Sequence, residues 1–279
     1  MLIWAELSYR GAAILLAVAF LVNLGTLFAR RRAHSVLGMI GSRGGWALLT
    51  ASLVLRTLAA HRFPVQNQFE ATSLFLWACL TAFVYLEWRL KWSAMNVAFL
   101  FLGVGALVYS LWLPRTLTPE LPALRHGWLP VHVTLNFAAY AALTLAFVLG
   151  LLYLGQQRQL KRKRISFLYY LLPPLDRLEE MVDRLVRWGF PLLTLGIMAG
   201  AINAQLVWGA YWDWRNPKMI WSLILWALYG LYFYLRAVLG WRGRRTVLWV
   251  VISFLAVVVN YGISLAVHNP HSFAQQFIK

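Results

Sequence analysis

The sequence contains a single cysteine among 279 residues, which excludes a disulfide framework and any cysteine-rich zinc cluster. It has no H-E-x-x-H segment and no closely spaced histidine pair with an acidic partner, so a zinc-peptidase type of helix is excluded as well. Charge is scarce, at 13% of residues, and only nine of the charged side chains are acidic. With 61% hydrophobic residues, that scarcity rules out a water-facing globule and points to lipid as the solvent. No A-x-A-like cleavage pattern follows the first apolar run, which therefore reads as a mature helix rather than a signal segment.

What the sequence does have is long apolar runs. A membrane span needs roughly 20 apolar residues, because helix rise and hydrocarbon thickness fix that length and lipid offers no partner for a free backbone N–H. Eight segments qualify, at 11–29, 45–60, 71–88, 95–112, 131–153, 189–207, 219–239 and 246–267. The expectation is an all-α fold, a polytopic integral membrane helical bundle of about eight transmembrane helices forming one membrane domain over residues 1–279.

Alternate loops carry 18 of the 26 Lys and Arg residues, among them Arg30 to Arg32, the run Lys161 to Arg164, and Arg242, Arg244 and Arg245. The opposite side holds Arg10, Arg62, Arg115, Arg125, Arg215, Lys218 and Lys279, while Arg56 falls inside a span. The positive-inside rule then puts both termini on the outer face. The net charge of +17 is explained by membrane topology and anionic lipid, with no nucleic-acid partner expected. Residues 175–188 space Leu175, Leu178, Val182, Leu185 and Val186 between charges, which predicts an amphipathic helix on the inner surface.

With that orientation His61, His126, His132, His268 and His271 lie at or beyond the outer face, and only His34 lies inside. Such a bias suggests a shared outer site for a metal-containing cofactor, against a plainer account of chance and interfacial wetting. His132, Asn136 and Tyr140 share one helical face, as do Asn260, Ser264 and His268, with His271 beyond Pro270. Spacing leaves His268 and His271 tied. Between these two regions, residues 207–221 read VWGAYWDWRNPKMIW and hold four tryptophans and a tyrosine. Two separated histidines and an aromatic wall suit heme, an apolar plate with two anionic propionates. An interfacial aromatic belt is the alternative.

The pattern W-G-A-Y-W-D-W, followed by Pro-Lys and a further tryptophan, resembles the tryptophan-rich "WWD" signature of the cytochrome c assembly protein family, in its CcsA-type branch. RFPVQNQFEA from Arg62 is similar to that branch's outer loop, and LDRLEEMVDRLVRWGFPLLTLGIMAGA from Leu175 to the helix before the signature. WLPVHVTLNFAAYAAL and NYGISLAVHNPHSF resemble its two outer-face histidine elements.

The resemblance implies a heme-handling component of cytochrome c biogenesis in a bacterial cell membrane, with a non-covalent, transient heme b on the periplasmic side. It makes His132 and His271 the axial ligands of the iron and favours His271 over His268. Trp208, Tyr211, Trp212, Trp214 and Trp221 become the platform of an outer-face loop over 208–221. Arg215, Lys218 and Arg125 become candidate propionate partners, and Arg56 either a propionate partner or a structural one. Glu70 is expected to cap the third span or to orient a ligand. The implied partners are apocytochrome c, whose C-x-x-C-H thiols react with the heme vinyl groups, and a ResB-like (CcsB-type) membrane protein. With it the chain would form part of a cytochrome c synthase, or heme lyase. A CcmC-like heme exporter or carrier, and a non-catalytic membrane regulatory protein, are the other readings.

Two departures from the branch stand out. Trp214 is followed by Arg215 and Asn216 before Pro217, where the branch has Asp-Pro-Lys directly after the tryptophan. Tyr234, in YFYLR, occupies the position of a membrane-buried histidine. An inner heme site is therefore expected to be absent, altered or completed by another chain.

Overall fold

The structure, a computed structural model, describes residues 1–29, 36–90, 93–117, 127–163 and 165–267. Among these the secondary structure is entirely helical: α1 (Leu2–Phe28), α2 (Val36–Ala60), α3 (Gln68–Leu90), α4 (Ser93–Leu111), α5 (Trp128–Lys161), α6 (Phe167–Leu171), α7 (Leu175–Trp208), α8 (Pro217–Ala237) and α9 (Arg244–Val267). Each of the eight apolar segments read from the sequence falls on one long helix. Six of those helices are long and apolar enough to cross a membrane, and α4 contributes a shorter apolar stretch at Met95–Leu111. The chain is a polytopic membrane protein. α2 lies outside the six because Arg43, Arg56 and a run of glycines and serines dilute its apolar content.

α1 starts at Leu2, well before the predicted boundary at residue 11, because its first turns have partners of their own. Ala5 and Tyr9 are buried, and Glu6 accepts from both Arg10 and Arg115. Residues 175–188 continue without a break into the following span, giving one 34-residue helix, α7, with Pro191 inside it. At 1.5 Å per residue that is about 51 Å, more than hydrocarbon alone requires, so α7 and the equally long α5 project beyond the bilayer.

The helices pack as two groups. α1 to α4 form one, led by the α1–α2 pair; α5 with α7, α8 and α9 form the other, in which α5–α7 is the most extensive contact; α3 against α5 joins them. At the join, Thr72 and Tyr261 hydroxyls meet at 2.9 Å and Phe75 lies against both Phe137 and Tyr261, while within the second group Asn260 of α9 donates to the Tyr140 hydroxyl of α5 at 3.1 Å. With no hydrophobic drive to bring helices together in lipid, close backbone approach and side-chain hydrogen bonds of this kind set the packing.

Candidate functional site

α5 and α7 run antiparallel, which brings His132, in the first turns of α5, against the last third of α7. The reason is local. Gly196 and Gly200, a G-x-x-x-G pair, face α5, and a Cβ at Gly200 would come within 2.4 Å of His132 Nδ1, one at Gly196 within 2.8 Å of the Asn136 amide. Only glycine admits the imidazole and the amide here.

The seat fixes the ring. His132 Nδ1 lies 2.7 Å from the Gly196 carbonyl oxygen, an acceptor, so Nδ1 carries the proton and donates. Asn136 donates to the His132 backbone carbonyl at 2.8 Å and packs beside the ring. Nε2 is left with its lone pair, the arrangement in which a histidine ligates a metal while its other nitrogen is anchored on a carbonyl. One turn beyond Gly200, the side-chain oxygen of Asn203 is buried with no hydrogen-bond partner among the described residues.

α7 ends two turns beyond Gly200, at Trp208, where Gly209 takes the left-handed conformation (φ 72°) and its N–H closes on the Gln205 carbonyl at 3.0 Å. The connection to α8 is the aromatic loop. Trp208, Tyr211 and Trp214 are 52%, 62% and 71% exposed, far more than core aromatics. Trp212 and Trp214 lie with ring centroids 6.0 Å apart, and the Trp212 indole N–H is buried without a partner among the described residues. Asp213 accepts from the Arg215 N–H at 2.8 Å, and Asn216 caps α8 by accepting from the Lys218 N–H at 3.0 Å, with Pro217 at the first helical position. Trp221 is half-buried one turn further on. Lys218 is within electrostatic range of His132, which ties the loop's cationic end to the histidine.

Arg56 belongs elsewhere. Its Nε donates to Glu70 at 2.9 Å and its Nη2 to the Arg115 carbonyl at 2.9 Å; Arg62 holds the other Glu70 oxygen at 2.9 Å. Of the two roles read from the sequence, its contacts support the structural one. Glu70 also receives the Gln66 N–H at 2.9 Å, while the Asn67 side chain takes the Glu70 N–H at 2.8 Å, so the N-x-x-E of the loop is a capping arrangement with a buried ion pair added to it. His126, Arg125, His268 and His271 lie outside the described residues. Tyr234 is 53% exposed on α8, whereas the buried tyrosine of that stretch is Tyr232, which donates to Asp183 at 2.8 Å.

The donor set fits a flat apolar ring bearing anionic groups: an imidazole with Nε2 available, a run of exposed aromatic faces, two cations in Arg215 and Lys218, and an indole N–H in want of an acceptor. Sequence reasoning found the histidine and the loop but missed Gly196 and Gly200, whose signal was the G-x-x-x-G spacing itself, and missed Arg62 as the second partner of Glu70.

Residues 65–269 match the family described as cytochrome C assembly protein. The chain belongs to that family. It is 31% identical to a cytochrome c biogenesis protein CcsA of Mesostigma viride over 94% of this chain and 93% of that protein. It is 33% identical to the CcsA protein of Synechococcus sp. strain CC9902 over 82% of this chain and 84% of the relative. The CcsA protein of Synechococcus sp. strain JA-3-3Ab is 32% identical over 95% of both chains. The family match runs from the capping loop before α3 to the end of α9, so the aromatic loop and His132 both fall inside it.

Proposed function

We propose that this chain is a heme-handling component of cytochrome c biogenesis, holding heme b transiently and without a covalent bond at the outer face of a bacterial cell membrane. His132 supplies one axial imidazole and His271 the other, and the loop of Trp208, Tyr211, Trp212 and Trp214 is the apolar platform, with Trp221 at its helical edge. Arg215 and Lys218 draw the propionates. The observation that carries this reading is the His132 ring seated on Gly196, a side chain fixed in tautomer and orientation whose second nitrogen has no partner among the described residues.

The heme is cargo and reactant. Each cysteine S–H of an apocytochrome C-x-x-C-H segment adds across a vinyl C=C, with the proton going to the vinyl carbon and no oxidant consumed. The chain's own residues orient the ring and keep the reacting edge accessible. A shallow, partly exposed aromatic loop does this better than a closed cavity. A ResB-like membrane partner completes the assembly in this reading.

Visible spectroscopy of the full chain purified in mild detergent tests the ligand assignment. A low-spin b-type spectrum is expected, weakened in His132→Ala and in His271→Ala and partly restored by added imidazole. Normal heme occupancy in both variants would overturn it. Co-expression with a ResB-like partner and a C-x-x-C-H reporter separates synthase from carrier: covalent heme on the reporter is expected only when this chain is present.

A further inference from the structure

At the end of the bundle away from the aromatic loop, the basic residues divide into two sets. Those on α7 and the end of α8 are matched. Glu180 sits between Arg177 at 3.0 Å and Arg184 at 2.9 Å. Asp183 takes Arg187 and, at 3.0 Å, Arg236, which also lies 3.5 Å from Glu179. Arg158, Arg162 and Lys163, exposed at the end of α5, have no acidic partner among the described residues, and four further unmatched cations line one recess. A recess of about 520 Å³, between the last turn of α5 and the α8–α9 connection, is lined by Lys161, Arg242, Arg244 and Arg245 together with Leu239 and Trp241. None of these four cations has an acidic partner among the described residues.

The recess is held in shape rather than merely left open. Gly240 and Gly243, both at φ 63°, bracket Trp241 and Arg242 and turn the chain sharply between α8 and α9. The Trp241 N–H donates to the Leu235 carbonyl at 3.0 Å, and the Gly243 N–H to Glu179 at 2.8 Å. Glu179 is thereby committed to the back of the turn and to Arg236. The turn is pinned on both flanks before any ligand arrives, which lowers the ordering cost of binding.

A preference for cations at the inner end of a membrane protein accounts for how many there are. It does not account for three arginines and a lysine lining a single recess beside a turn that is pinned by its own hydrogen bonds. Three guanidinium forks and an ammonium suit a phosphate group. Leu239, largely exposed, and Trp241 give the recess an apolar side just beyond the end of α8, a helix long and apolar enough to cross a membrane. We propose that this recess binds the phosphate-bearing headgroup of an anionic phospholipid.

The test uses the full chain in detergent with defined phosphatidylglycerol, reading retained lipid per protein by native mass spectrometry. A triple variant, Arg242→Gln with Arg244→Gln and Arg245→Gln, is compared with Arg158→Gln, Arg162→Gln and Lys163→Gln, which removes the same charge from exposed positions at the same end of the bundle. Retention is expected to fall at least about tenfold in the first and to stay within about twofold in the second. Equal loss in both would make the attraction a diffuse field, and equal retention in both would make the recess irrelevant; either overturns the proposal. Arg242→Gln alone, at an exposed turn position, gives a milder variant expected to weaken retention about fivefold, so a folding defect in the triple variant does not decide the matter. Inorganic phosphate at millimolar concentration is expected not to displace the lipid from the unmodified chain. Displacement would assign the recess to free phosphate instead and overturn the lipid as its ligand.

Discussion

Two polar clusters sit at the same end of this bundle and differ in what they leave unfinished. Around Glu70 the opposite charges are closed on one another: Arg56 and Arg62 hold both carboxylate oxygens, Glu70 is fully buried, and neighbouring Arg115 pairs with Glu6 while stacking over Tyr9 and Phe69. Around His132 the ring is anchored by one nitrogen, the adjacent loop exposes three large aromatics, and among the described residues the other ring nitrogen, an indole N–H and a buried amide oxygen have no partner. Buried polar groups are normally satisfied from within the fold. A cluster that satisfies itself is architecture, and on the function proposed above the one that stops short of doing so is completed by the heme.

The sharpest way to break the comparison is to unbalance the closed cluster. Glu70→Gln leaves two buried guanidiniums facing a neutral amide, and removing one partner of a buried pair typically costs about 3–5 kcal/mol. The expected result is a large fall in the thermal unfolding midpoint in detergent, with heme per folded molecule unchanged. If Glu70→Gln instead folds normally and loses heme, the two clusters are one site.

The open cluster should respond in the opposite sense. Gly200→Ala puts a methyl group against the His132 ring, and overpacking of this kind costs about 1–3 kcal/mol. Because the ring must swing off the Gly196 carbonyl, heme occupancy is expected to drop and the visible spectrum to change while the chain still folds. Gly155→Ala is the control: that position meets nothing within 4 Å, and alanine there should stabilise α5 by up to about 1 kcal/mol. Equal spectra for the two variants would remove Gly200 from the site.

How much of this was legible in the sequence follows the same division. The helices were, because length and apolarity in lipid leave one backbone solution. The aromatic loop and His132 were legible as candidates, because composition and spacing stand out against an apolar background. Arg56 was legible only as a costly residue needing a partner, since which acid reaches it depends on how the α2–α3 corner closes. The tautomer of His132 was not legible at all. It is set by a carbonyl of Gly196, a main-chain atom contributed by a different helix, and no residue type announces such an acceptor. The start of α1 was missed for a similar reason, since Glu6 and Arg10 look like loop residues until Arg115 is seen to meet them.

A smaller effect is expected in the loop itself. Trp208→Ala removes an exposed ring at the end of α7 and should leave stability almost untouched. Aromatic contacts are worth about 0.5–1.5 kcal/mol beyond the area they bury, so heme affinity in titrations is expected to weaken about threefold to tenfold. Trp88→Ala, at the far end of α3, should have no such effect on titration; equal weakening by both would mean that the rings act as an interfacial belt and not as a platform.

The smallest expected effect concerns the residue that departs from the family pattern. Asn216 stands where an aspartate precedes Pro-Lys, yet its side-chain oxygen performs the capping that an aspartate would, accepting the Lys218 N–H at 3.0 Å. Asparagine and aspartate are equivalent N-caps, so Asn216→Asp is expected to change stability by no more than a few tenths of a kcal/mol, while Asn216→Ala should cost about 1 kcal/mol and loosen the start of α8. Unfolding midpoints and heme titrations on the two variants check this together. If Asn216→Asp is neutral in both, the departure resides in Arg215, the added residue whose backbone N–H closes on Asp213. The loop then keeps its N-cap and gains a cation next to the exposed Trp214, which sharpens the difference between this loop and the self-paired cluster at Glu70: one pairs its charges within the fold, and the other displays them outward.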